Sequence, residues 1–99
     1  MMKGVATLYR WSVSTDERSH FVREWREAAR QLRRSGALGC HLLRAGKDEF
    51  IGLVRWPSEY ARSRVRIGPA ASGPGIRALA TTDLCVEDDT PGLLSGMGR

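Results

Sequence analysis

Two runs of this chain, Val5–Val13 and Glu49–Trp56, are apolar on both of their faces, and this limits the folds open to it more than any other feature. Side chains of a strand alternate between faces, so Val5, Tyr9, Trp11 and Val13 share one side of the first run, and Ala6 and Leu8 the other. In the second run Phe50, Val54 and Trp56 stand on one side, and Ile51 and Leu53 on the other. Strands of this kind belong in the middle of a sheet that is covered on both sides. The second run also stops sharply. Pro57 follows Trp56, and Ser58 can cap a helix, so strand passes into helix within two residues.

Between the two runs the period changes. Ser14-Thr15-Asp16-Glu17 reads as a helix start, a hydroxyl cap followed by acids at the positive end of the helix dipole. Phe21, Trp25, Ala28, Ala29 and Leu32 then fall on one stripe, which predicts a helix to about Arg34 that stops at Gly36. Residues 38–44 read as a strand, and 45–48 as a turn into the second doubly apolar run. Beyond Pro57, residues 59–67 predict about two turns of helix. Residues 70–75 have loop composition, 78–86 form a fourth strand, and 87–99 are a tail.

The resulting order, β-α-β-β-α-β, is the ferredoxin-like signature. Right-handed crossovers resolve it into one antiparallel sheet of order 4-1-3-2 with both helices on one face. Residues 1–99 are thus expected to make a single α+β domain with its core at about 5–86. Two helices cover one face. The other face is expected to leave aromatics of strands one and three uncovered, and an apolar patch of that size predicts a homodimer with sheets packed face to face. Cys40 and Cys85 are expected on opposite edge strands, roughly 14 Å apart at about 4.7 Å per strand, out of disulfide reach. With no CxxC spacing they read as small buried hydrophobes in a reducing compartment.

Charge adds less. The chain has 16 Lys plus Arg against 11 Asp plus Glu, and the excess sits largely on the first helix as Arg18, Arg23, Arg26, Arg30, Arg33 and Arg34. Interleaved acids suggest a solvated face with local pairs such as Arg23 with Glu27 and His20 with Glu24. Without accompanying aromatics or a docking motif, this argues against a nucleic-acid partner. No run is apolar and long enough to span a membrane and no signal-peptide pattern opens the sequence, so a cytoplasmic location is expected. The two histidines stand on separate elements, so neither a metal ligand set nor a Ser-His-acid arrangement can be assembled. His41, on an edge strand, reads as exposed or hydrogen-bonded.

Tyr9-Arg10-Trp11, Phe21 and Trp25, Gly36-Ala37-Leu38-Gly39-Cys40 and Val54-Arg55-Trp56-Pro57-Ser58 together resemble small proteins of the antibiotic biosynthesis monooxygenase family, of the dimeric α/β-barrel superfamily. The resemblance spans roughly residues 5–86. It implies a cofactor-independent oxygenase acting on an aromatic, polyketide-type or quinol molecule held between sheet and helices; relatives degrade heme, isomerise or cyclise. Trp56 matches the tryptophan that lines the family's pocket. The family's pocket asparagine has no counterpart, because the sequence contains no asparagine, and Arg62, Arg64 and Arg66 stand where heme-degrading relatives carry a histidine.

A reaction without a cofactor requires donors that orient the substrate and stabilise a developing oxyanion. Arg10 and Tyr60 are the catalytic candidates beside Trp56, with Tyr9 and Trp56 as substrate-binding residues. Each has a structural alternative. Trp56 is equally a core residue, Tyr60 a rim residue, and Arg10 a partner for an acid of the Glu87-Asp88-Asp89 run across the dimer. A non-catalytic dimeric binding or accessory module, and a cyclase or isomerase, remain open on the same scaffold.

Overall fold

The computed structural model describes residues 4–65 and 73–87. The chain forms β1 (Val5–Val13), a 3-10 turn (Thr15–Glu17), α1 (Arg18–Arg34), β2 (Gly39–Ala45), β3 (Glu49–Trp56), α2 (Glu59–Ser63) and β4 (Ile76–Cys85). All four strands join one antiparallel sheet of order β2-β3-β1-β4, which is the ferredoxin-like arrangement. The two doubly apolar runs are the central pair.

Both helices lie on one face. Trp11 of β1 meets Phe21 and Trp25 of α1 edge-on, with ring centroids 5.0 and 5.9 Å apart, and Phe50 of β3 packs on Phe21 at 5.0 Å. Arg62 of α2 reaches Thr7, whose side chain stands on the same side of β1 as Trp11. The open face carries Ala6, Leu8, Arg10 and Ser12 of β1 opposite Arg55, Leu53, Ile51 and Glu49 of β3.

That division corrects one expectation. The strand aromatics were expected on the uncovered face, yet Tyr9, Trp11, Phe50 and Trp56 are all buried beneath the helices. The helix stripe supplies Phe21 and Trp25, and rings of this size gain most where they meet other rings out of water. The open face is therefore aliphatic at its centre.

Helix ends follow local geometry. Val13 and Ser14 still give their N–H groups to Asp48 O and Gly75 O, at 2.7 and 2.9 Å, so the chain leaves the sheet late. A tight 3-10 turn follows, holding Asp16 and Glu17, and the Ser14 hydroxyl makes no cap bond. At the far end Gly36 has φ 114°, a conformation that disfavours any side chain, and Ala37 N–H returns to Leu32 O. Ser58 Oγ caps α2 by accepting from Ala61 N–H at 3.1 Å. This helix ends at Ser63, short of its expected span, whose last residues 66–67 lie outside the described residues, as do 70–72 of the expected loop and 88–99 of the tail.

Other corrections are local. β4 starts at Ile76, two residues early, and bulges between its pairings with Arg10 and Trp11. Glu27 pairs with Arg30 rather than Arg23, the orientation that places the acid toward the helix N-terminus. Cys40 is half-buried and Cys85 exposed, since no helix among the described residues covers the end of β4 where Cys85 lies; both thiols are free. No helix among the described residues is long and apolar enough to cross a membrane.

Gly52 sets how closely α1 approaches. A Cβ there would lie 2.7 Å from Trp25 Cζ3 and 2.9 Å from Trp11 Cζ3, and both rings are held by their neighbours. Gly52→Ala is expected to destabilise the fold by roughly 1–3 kcal/mol through overpacking, read as a lower urea midpoint at unchanged slope.

Candidate functional site

The helix-facing side of β1 presents Val5, Thr7, Tyr9 and Trp11 in sequence. Across β4 their neighbours are Cys85, Asp83, Thr81 and Ala78, and across β3 they are Trp56, Val54, Gly52 and Phe50. The two sides fare differently. The β3 side is sealed by α1, whereas Thr81, Asp83 and Cys85 remain exposed. A cleft of about 400 Å³ opens where α2 stands over this uncovered strip, lined by Val5, Asp83, Leu84 and Cys85 on the sheet and Glu59, Arg62, Ser63 and Val65 above.

At its centre is a polar cluster. Thr7 is fully buried, and its hydroxyl donates to Asp83 Oδ1 at 2.7 Å while accepting from Arg62 Nε at 2.8 Å. Arg62 Nε also lies 3.3 Å from the same Asp83 oxygen, and Nη1 donates to Val65 O at 3.0 Å. A hydroxyl buried on an apolar strand face needs partners, and these two charged side chains supply them.

Two further polar atoms on this face are buried with no hydrogen-bond partner among the described residues, Tyr9 OH and Trp56 Nε1. Burial pushes the Tyr9 hydroxyl pKa up, with the Arg62 guanidinium opposing and Asp83 and Cys40 adding to it. Its ring stacks on Trp11 at 5.7 Å and 14°. Buried donors without partners are costly and rare.

The candidates from sequence divide accordingly. Tyr9 and Trp56 share the helix-facing side, Trp56 being wholly buried at the end of β3 opposite Val5. Arg10 does not join them. As the residue after Tyr9 it points to the open face, where Nε binds Glu49 Oε2 at 2.8 Å; this bond lowers the Glu49 pKa and raises that of Arg10. Its partner among the described residues is thus Glu49 of the same chain, and residues 88–89 of the run expected to meet it across a dimer lie outside them. Tyr60 is 72% exposed, with the Arg64 guanidinium 5.8 Å from its ring centroid. The expected convergence of Arg10 and Tyr60 on Trp56 is not formed.

Sequence reasoning missed Thr7, Asp83 and the reach of Arg62. The available signal was Thr7 itself, a lone hydroxyl between Val5 and Tyr9 on the apolar side of a central strand. Among the described residues no group of three or more His, Cys, Asp or Glu is placed to hold a metal ion.

No protein-family model and no curated protein matches the chain. Solved structures do. The heme-degrader MhuD of Mycobacterium tuberculosis, with two hemes bound in its active site, shares 20% identity at a TM-score of 0.68, over 87% of this chain and 98% of that one. A MhuD point mutant with two manganese protoporphyrin IX bound per active site gives 20% identity and a TM-score of 0.71, over 89% and 99% of the two chains. The heme-free M. tuberculosis heme-degrading protein gives 21% and 0.64, over 90% and 99%. What these likenesses establish is a common fold.

Proposed function

We propose that this chain is an antibiotic biosynthesis monooxygenase-like oxidoreductase, a homodimer whose cleft takes an aromatic or otherwise apolar small molecule and oxidises it without a cofactor. The observation that carries this is the cleft beneath α2, whose sheet wall belongs to the face on which two buried donors, Tyr9 OH and Trp56 Nε1, have no partner among the described residues. The cleft volume of about 400 Å³ lies within the usual range for small-molecule sites.

In such a reaction a substrate methylene and dioxygen give a carbonyl and water, and the substrate supplies all the electrons as a stabilised carbanion. The protein's part is to bind, orient and stabilise charge. Because burial keeps the Tyr9 hydroxyl protonated, its role is to donate a hydrogen bond to a substrate oxygen. Arg10, on the opposite face, and Tyr60, turned outward, take no part in this arrangement.

The solved neighbours are heme proteins, but the residues here do not fit a histidine-ligated heme. Of the two histidines, His20 lies 3.6 Å from Glu24 on α1, and His41 is exposed on the open face of β2. Neither lines the cleft. A second reading, a non-catalytic binding module, is favoured by the complete burial of Trp56, whose indole lines nothing open.

Crystals soaked with anthrone- and quinol-like aromatics, paired with oxygen-consumption assays, separate these readings. Ordered density in the cleft with oxygen uptake, reduced about tenfold or more in Tyr9→Phe, is expected from loss of one charge-stabilising donor. Density without uptake would select the module, and neither would end the small-molecule reading.

The dimer is proposed to form through the open face, where Leu8, Leu43, Ile51 and Leu53 surround the Arg10–Glu49 pair. Ultracentrifugation at micromolar concentration is expected to show a dimer for the wild type and a folded monomer for Leu8→Asp/Leu53→Asp. A wild-type monomer would exclude face-to-face packing.

The Tyr9 proton also predicts an alkaline transition. Its pKa lies above the ordinary 10.0 in the folded state, so the associated stability is fully present below that value and is lost as pH rises through the raised one. Unfolding free energy is expected to hold steady to about pH 9.5 and then fall. In Tyr9→Phe this tyrosine-linked fall should be absent.

A further inference from the structure

We propose that the ligand of this cleft is a carboxylic acid on an aromatic or alicyclic body, and that Arg62 receives the carboxylate, taking it in exchange for Asp83. The inference rests on the reading of the cleft as a small-molecule site and adds to it the ligand's charge and the residue that recognises it.

Arg62 is the one basic side chain among the described residues that line the cleft. Neutral oxygens hold its guanidinium in place, with Nε on the Thr7 hydroxyl at 2.8 Å and Nη1 on Val65 O at 3.0 Å. Those anchors fix the plane of the fork before any ligand arrives, so little freedom remains to be lost on binding.

The existing carboxylate contact is poor by comparison. Asp83 approaches through a single oxygen, at 3.3 Å, and its side chain is 60% exposed. Arginine pairs strongly with a carboxylate when two parallel N–H donors meet two oxygens in a place sheltered from water. Asp83 meets neither condition. Its Oδ1 keeps the Thr7 hydroxyl at 2.7 Å, so Asp83 gives up only the 3.3 Å guanidinium contact when a ligand carboxylate takes its place.

The remainder of the site agrees in sign. Tyr9 OH and Trp56 Nε1 stand without acceptors on the same sheet face, and an indole nitrogen can only donate. Of these three residues Arg62 alone lines the cleft, and its guanidinium favours a molecule with acceptor oxygens. Val5 and Val65 give the cleft an apolar wall for the ligand's body.

The test is a titration of the full chain with 2-naphthoic acid and its neutral isostere 2-naphthamide, followed by calorimetry. The acid is expected to bind the wild type at least about tenfold more tightly than the amide, since the guanidinium's charge-assisted bonds are made to the acid alone. Arg62→Gln should abolish that preference, the acid then binding no more tightly than the amide. Arg62→Lys should restore part of it, and Asp83→Asn should tighten the acid by removing its internal competitor. Equal binding of acid and amide to the wild type, or a preference that survives Arg62→Gln, would overturn the proposal and leave the small-molecule reading standing. No binding of either probe would overturn both.

Discussion

The approach of α1 to the sheet depends on a side chain that is missing. With no Cβ at Gly52, the Trp25 ring settles onto β3 and Trp11 turns its edge to both Trp25 and Phe21. The aromatic cluster built this way joins β1, β3 and α1 in one contact, and Phe21, Trp25 and Leu32 bury almost completely in it. Each such side chain contributes about 1.5–3 kcal/mol by leaving water. The central strands can be apolar on this face because one helix supplies rings of matching size.

The cleft follows from where that helix goes. α1 packs against β2 and α2 against β3, so cover is concentrated away from β4. With five residues, α2 is too short to extend it, and the strip from Thr81 to Cys85 stays exposed. A polar group at the margin of the covered region cannot rely on water. Thr7 meets that constraint through Asp83 and Arg62, and so a charged cluster is fixed where the core opens.

The fold was largely legible from the sequence because double apolar faces and helical stripes are periodic features. Central strands, strand order and the helix face were all readable from Val5–Val13, Glu49–Trp56 and the Phe21–Trp25–Leu32 stripe. Which sheet face the rings would choose was less legible, since alternation gives two faces without saying which the helices cover. The site was harder still. Arg10 is adjacent to Tyr9 in sequence but opposite in space, and Thr7, Arg62 and Asp83 meet across separations of 55 and 76 positions that no local pattern encodes. Tyr60 takes the outward position given as its structural alternative, because a residue in the first turn of a short helix has little above it to bury against.

The bulge in β4 carries a consequence for how this strand can vary. Leu79 has no partner on β1, so side-chain parity reverses as the strand passes it. Ahead of it Ile76 and Ala78 stand opposite Val13 and Trp11, while beyond it Thr81, Asp83 and Cys85 occupy that same side. Two halves of one strand thus obey opposite odd-even rules. Were Leu79 drawn into the ladder opposite Trp11, Arg77 would stand against Val13 and Ile76 would lose its place beside the core, so it is the bulge that keeps the first half of β4 in its working register.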